Sequence, residues 1–135
     1  MRDAIIDQML LWIVLFIGFV GIFLMVIDYY LVLKTKDRCD TFANYGVRMK
    51  ALGRDEATIV TGLNNIKNSY FQTITVDDLS CVEDSSSLDY RIVFQTETTF
   101  DNLFLSQGEM LRAKTASFNE VNSSNIECNL ILKLK

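Results

Sequence analysis

The chain has 135 residues, half of them hydrophobic, and a formal net charge of −4. It contains no histidine, so it lacks the side chain most often used as a general base or metal ligand. Its basic residues are scattered, and no nucleic-acid-binding patch is apparent. The composition therefore argues against histidine-based catalysis and against nucleic acid as a partner. It leaves one small domain beside a long apolar segment.

The apolar segment runs from Met9 to Ile27, nineteen residues without a charge. As a helix it would span roughly 28 Å, close to the ~30 Å hydrocarbon core of a bilayer. A cleaved secretory signal would have a shorter apolar region and a small-residue cleavage site, which "DYYLVLK" does not offer. A soluble core helix this apolar on all sides would need a larger protein around it. We therefore predict an N-terminal transmembrane segment, residues 1–33, in contact with the lipid bilayer.

The orientation of this segment is ambiguous. More basic residues follow it than precede it, where only Arg2 and the amino terminus are found. The basic residues that follow are Lys34, Lys36, Arg38, Arg48 and Lys50. Taken literally, the positive-inside rule places the C-terminal domain in the cytoplasm, and removal of a basic leader would weaken that inference.

Helical character continues beyond the apolar run. Phe42, Tyr45, Met49 and Leu52 share one face, and no proline interrupts the pattern. Gly53 suits a C-terminal cap, so we predict one helix over residues 4–52. Asp55 then suits the N-cap of a second, shorter helix over about residues 55–68.

The remainder of the chain has a β-like pattern. Strands are predicted at 71–76, 90–100, 110–121 and 126–135, with residues 81–89 as a polar loop. Alternation in the second and fourth strands puts these side chains on one face: Ile92, Phe94, Thr96, Ile126, Cys128, Leu130, Leu132 and Leu134. We expect a four-stranded antiparallel meander covered by the second half of the long helix. Residues 34–135 would then form a small α+β domain.

Cys39, Cys81 and Cys128 are too far apart in sequence for a CxxC metal motif. If the domain faces an oxidising compartment, we expect Cys81 to pair with Cys128, since both lie in the strand-rich half. Three buried thiols are an equally open alternative.

No catalytic arrangement is apparent. A cysteine nucleophile would have no histidine base, and the adjacent carboxylates fall in polar turns. We predict that the protein is not an enzyme and binds neither metal nor cofactor. The sequon at Asn122 suits a turn and would matter only in a glycosylating secretory route.

The apolar helix carries the candidate assembly residues. Asp3 and Asp7 lie four residues apart where the helix enters the bilayer; they either face water or meet a positive partner, such as a neighbour's terminal amine. Gly18 and Gly21 would allow another helix to approach closely, or could mark a local break in the helix. Trp12 and Asp28 lie toward the two ends of the run and complete this set.

The order and lengths of these parts resemble the type IV pilin architecture, most closely the TadE/TadG-like pilus-assembly pseudopilins. The stretch "DYYLVLKTKDRCDTFANYG" is similar to their post-membrane helix. The stretch "YRIVFQTETTFDNLFLSQGEMLRAKTASF" is similar to their succession of a strand, a Phe-Leu stretch and a strand with small residues.

The resemblance implies a major or minor structural subunit of a pilus-like filament or its assembly platform. Its partners would be copies of itself, related pilin subunits and an inner-membrane platform. The protein would span the inner membrane once, with an extracytoplasmic domain, and could enter an extracellular filament. The alternative is a single-pass accessory subunit of a secretion, conjugation or transport complex, in which the apolar run is mainly a tether.

Overall fold

The computed structural model describes residues 2–68, 74–84, 90–101, 108–121 and 124–134. Two helices precede four strands: α1 (Arg2–Ala51), α2 (Glu56–Asn68), β1 (Ile74–Asp84), β2 (Arg91–Asp101), β3 (Gly108–Phe118) and β4 (Asn125–Leu134). This is the predicted α+β class, with one long helix, one short helix and a four-stranded sheet.

α1 is a single helix of 50 residues, about 75 Å long. It ends at a Schellman motif, in which the Gly53 amide donates to the Lys50 carbonyl at 2.9 Å and the Arg54 amide donates to the Met49 carbonyl at 3.1 Å. Gly53 has a φ of 71°, which a residue without a Cβ adopts at little cost. The predicted extent and C-terminal cap of the long helix are confirmed.

α2 begins immediately after Asp55, its predicted N-cap. The Asp55 carboxylate accepts hydrogen bonds from the Thr58 hydroxyl and backbone amide, which hold the pKa of this carboxyl below its usual value. The Asp55 carbonyl also accepts the Ile59 amide at 3.1 Å. The side chain therefore satisfies an amide at the start of the helix that has no intrahelical partner.

The strand order is β1-β4-β2-β3, so the predicted meander is wrong. β4 lies between β1 and β2, antiparallel to β1 and parallel to β2, and β2 and β3 are antiparallel. The chain therefore passes the start of β2 on its way from β3 to β4. The prediction failed because alternation identifies a strand and its buried face but does not identify the neighbouring strands.

The polar loop predicted at 81–89 is also partly wrong, because β1 continues as a strand through Asp84. Leu79 and Cys81 point toward the core, while Asp78, Ser80 and Val82 are exposed on the other face. β1 is an edge strand with one face open to solvent, and its outward side chains are therefore largely polar. Those polar residues suggested a loop.

The helices cover one face of the sheet: α1 packs on β2 and β3, and α2 packs on β1. Phe42, Ile92, Phe94 and Leu130 are buried, and Tyr45 and Met49 are partly buried against them. The predicted contact between the second half of α1 and the sheet is therefore present. The two Thr residues on the inner face of β2, Thr96 and Thr98, are also buried.

Gly46 permits α1 to lie close to the sheet, and Gly62 permits α2 to lie close to α1. A methyl group at Gly46 of α1 would lie 2.6 and 2.7 Å from Cε1 and Cε2 of the buried Phe94 ring. A methyl group at Gly62 of α2 would lie 2.7 Å from Cζ of Tyr45. Sequence reasoning identified neither residue. A glycine inside a helix costs about 1 kcal/mol relative to alanine. The presence of glycine at both positions in spite of that cost could have indicated a packing role.

Candidate assembly surface on the long helix

The first half of α1 projects away from the folded domain. Nearly every side chain from Ile5 to Ile27 is exposed, and none of the most apolar stretch is buried by the domain. By length and composition, this helix could cross a membrane. An apolar surface this large requires another apolar environment, either lipid or other helices.

The residues predicted to mediate assembly lie on this projecting half. Asp7 and Trp12 are exposed, whereas the side chain of Asp3 lies outside those that the structure describes. Gly18 and Gly21 lie within unbroken α-helix, and a methyl group on either would meet no atom within 4 Å. These glycines therefore have no packing role among the described residues of a single copy.

Asp28 marks the junction between the projecting half and the domain. It is only 7% exposed, and its Oδ1 atom is buried without a hydrogen-bond partner among the described residues. The rings of the next two residues, Tyr29 and Tyr30, are exposed, and Lys34 Nζ lies 5.8 Å from the centre of the Tyr30 ring. Because Asp28 is buried while most residues before it are exposed, the helix begins to be covered at this residue.

The next polar residue on the same side of the helix, Thr35, is also buried. Its hydroxyl donates to the Leu31 carbonyl at 2.9 Å. From residue 22 to residue 45 the helix contains neither proline nor glycine, the residues at which a helix bends most easily. The apolar half therefore leaves the domain without an intervening flexible segment.

Cys81 and Cys128 form a disulfide between the directly paired strands β1 and β4, with their Cα atoms 4.1 Å apart. This is the pair that the sequence favoured for an oxidising compartment. Cys39 is free and buried in α1. Burial, and secondarily the negative charge of Asp40, raise the pKa of the Cys39 thiol to about 11, so this thiol is unreactive in the folded domain.

No site for chemistry is evident among the described residues. No group of three or more His, Cys, Asp or Glu in this part of the chain could hold a metal ion. A groove of about 540 Å³ runs between the end of α1 and β3, and Tyr45, Met49, Leu52 and Glu120 are among its lining residues. Arg48 and Ser117 also line it, so the groove holds one carboxylate, one guanidinium and one serine hydroxyl among mainly apolar side chains.

Comparison of the chain with known protein families, curated proteins and solved structures finds no match. The fold therefore defines the protein only by class. It is an α+β domain built on a helix whose other half is long and apolar enough to anchor it in a membrane.

Proposed function

We propose that the protein is a structural subunit of a type IV pilus-like filament or of its assembly platform, and that it polymerises through the apolar half of α1. The observation that supports this most directly is the continuity of α1 from a fully exposed apolar half into the core of the domain. A simple anchor does not need this arrangement, because a flexible linker would hold the domain at a membrane equally well.

The rigid junction gives the apolar half a further property. Because Asp28 and Thr35 are already buried in the domain, the direction of the apolar helix is fixed relative to the sheet. When such helices pack together, their domains must take up repeated and equivalent positions around the bundle. This is the requirement for a regular polymer of identical subunits.

The surface of the apolar half is suited to close helix packing. Lipid is as apolar as leucine, so association in the membrane depends on tight contact and not on the hydrophobic effect. Gly18 and Gly21 leave an open patch where another backbone can approach, and no side chain of the same copy fills it. Asp7, exposed near the end of the helix, offers a charge for a neighbouring copy to neutralise.

The disulfide supports an extracytoplasmic location for the domain, because cytoplasmic thiols are normally kept reduced. The count of basic residues after the span favours the opposite orientation. The disulfide is the stronger indication of the two. It reports directly on the compartment in which the domain folds. The positive-inside rule instead reports on the charges beside the span at the time of insertion, when a leader could still be attached.

The proposal is tested by replacing residues 9–27 with a Leu/Ala run of equal length in the full chain. Insertion should persist, since hydrophobicity alone drives it, while assembly should be lost because the specific contacts are gone. Filaments are counted by electron microscopy, and the membrane level is measured by immunoblot. Gel shifts with a maleimide-linked polymer check that the Cys81–Cys128 bond has formed. Normal assembly with the replaced span would make it a tether and favour an accessory subunit.

A second test addresses the acidic start of the helix. Asp3→Asn combined with Asp7→Asn should prevent assembly if these carboxylates neutralise a neighbour. Asp37→Asn, which removes an exposed carboxylate from the same helix beyond the span, is the matched control and should assemble normally. Mass spectrometry of the native amino terminus adds an independent result, because a trimmed, N-methylated end favours a filament subunit and an intact longer chain favours an accessory subunit.

A further inference from the structure

The two edge strands of the sheet have complementary outward faces. β1 and β3 are the edges, and both run antiparallel to their inner neighbours, which are parallel to each other. β1 and β3 therefore run in the same direction. On the face away from the helices, Asp78 and Val82 of β1 are exposed, as are Lys114 and Phe118 of β3.

The spacing of these residues is the same on both strands. Asp78 precedes Val82 by four residues, and Lys114 precedes Phe118 by four. Phe118 is 75% exposed and Val82 is 68% exposed, so both are large apolar side chains left largely uncovered. Neither Lys114 nor Asp78 has an ion pair among the described residues. On the outward face, Ala116 lies between Lys114 and Phe118 of β3, and Ser80 lies between Asp78 and Val82 of β1. Both side chains are small and do not obstruct close approach of the two strands.

We propose that β3 of one copy pairs in parallel with β1 of the next, placing Lys114 beside Asp78 and Phe118 beside Val82 of the second copy. This inference rests on the proposed function, since it names a contact between assembled subunits. An opposite-charge pair and an apolar pair then fall in one register, on one face of a sheet that continues from copy to copy.

Other edge pairings are less compatible with the fold. All copies in one membrane have the same orientation. Because α1 lies on the sheet, antiparallel pairing with the helices on one face would reverse the direction of α1 between copies. A parallel pairing of β3 with β3 would put the helices on opposite faces of the joined sheets, and it would also put Lys114 of the two copies on opposite faces. Pairing of β3 with β1 keeps both the strand direction and the face.

The segments of β1 and β3 that would pair in this register are regular strands. The irregularity in β1 lies between Val76 and Asp78, so pairing with β4 is uninterrupted from Asp78 to Asp84. β3 pairs with β2 without interruption over its whole length. In a level alignment, each row of paired residues across one sheet would continue directly into the same row of the next copy. Asp78 would then lie beside Arg112, which already makes a 3.0 Å ion pair with Glu97.

The preferred register is offset by two residues from the level alignment, about 6.6 Å along the strand. An interface that joins different surfaces of successive copies forms a closed ring only if no net translation accumulates. In a filament whose strands run along its axis, the two-residue offset adds a translation at every step. The same contact that joins two neighbours is then compatible with a helical array.

The pairing is tested in membranes of cells that produce the full chain with a photo-crosslinking phenylalanine analogue at Phe118. After irradiation, mass spectrometry should locate the adduct in the β1 peptide that contains Val82 of a second copy. The matched control places the same analogue at Val93, on the same face of the inner strand β2, which β4 separates from β1. It should give no such adduct. Absence of the Phe118 adduct, or its location in another element, would overturn the proposal.

Charge reversal provides the second part of the test. Lys114→Asp should lower the yield of assembled protein by about tenfold or more, because a like-charge pair replaces an opposite-charge pair at every repeat. Adding Asp78→Lys should restore the yield. Arg54→Glu, at an exposed position outside the strands, controls for net charge and should have little effect. Normal filaments from Lys114→Asp would refute the edge pairing but would not affect the proposal that the protein polymerises through α1. That proposal would be refuted by normal assembly of the variant with the replaced span.

Discussion

Gly46→Ala should destabilise the domain although alanine is the better helix former. A methyl group there would lie 2.6 Å from Phe94 Cε1, about 1 Å inside an ordinary carbon–carbon contact. Phe94 is completely buried, so its ring can move only by displacing other core side chains. Such overpacking costs about 1–3 kcal/mol, and the gain in helix propensity offsets about 1 kcal/mol of it. With several ring atoms affected, we expect a net loss of about 1–2 kcal/mol.

The buried thiol of Cys39 provides the assay. Because this thiol is buried and its pKa is raised to about 11, it reacts with a thiol reagent mainly when the domain opens. Labelling rates of the full chain in detergent, measured at increasing urea concentrations, give the free energy of opening for each variant.

Gly62→Ala is the matched control because it brings the same gain in helix propensity. Its methyl group would meet the outer end of the Tyr45 side chain, which is only partly buried and lines a surface groove, so it is easier to displace than the fully buried Phe94 ring. We expect a change within about 0.5 kcal/mol. Phe94→Leu should relieve much of the Gly46→Ala clash in the double variant, which would appear as favourable coupling between the two sites. A gain of about 1 kcal/mol from Gly46→Ala alone would show that the ring is not over that glycine.

Three further predictions concern the sheet and the second helix. Leu130→Ala removes a fully buried side chain and should cost roughly 2–5 kcal/mol in the same assay, whereas Ile131→Ala on the outer face should cost roughly 1 kcal/mol or less. A loss under half a kcal/mol for Leu130→Ala would contradict the assignment of its face. Replacing Cys81 and Cys128 by serine opens a link between residues 47 apart and should cost about 4 kcal/mol in the chain-entropy model. A change near zero would show that the strands hold each other without the bond. The carboxyl of Asp55 has a lowered pKa, so its contribution is present above the unfolded value of about 3.9 and is lost as the pH falls through the folded value. Urea unfolding followed by circular dichroism between pH 6 and pH 3 should therefore show a steeper loss for the natural chain than for Asp55→Asn, and equal slopes would contradict this role.

The parts of the fold that the sequence predicted are those governed by local chemistry. The extent of α1 followed from the absence of proline and from the cap at Gly53, and the buried face of β4 followed from strict alternation around Leu130. The strand order was not predictable in this way. β4 reaches its central position through pairing with β1, which lies far away in the chain, and no local pattern specifies that pairing.

The candidate assembly surface could be predicted only in part. The exposed apolar half of α1 was evident from composition alone. The edge pairing was not, because it depends on β1 and β3 becoming the two edges and running in the same direction. Lys114 and Asp78 look like ordinary surface charges until the topology puts them on opposite sides of one sheet face.

The uninterrupted passage of α1 from the apolar half into the domain also sets a rotational phase between them. Each residue of a helix advances the chain by about 1.5 Å and turns it by about 100°. One alanine inserted after Gly21 would swing the whole sheet by about 100° around the helix axis, whereas four would return it to within about 40° at the cost of about 6 Å of height. A change of length in the span therefore alters the direction of the sheet, which a substitution at constant length leaves unchanged. A single insertion far from the sheet would misdirect both of its edges without altering any contact inside the domain.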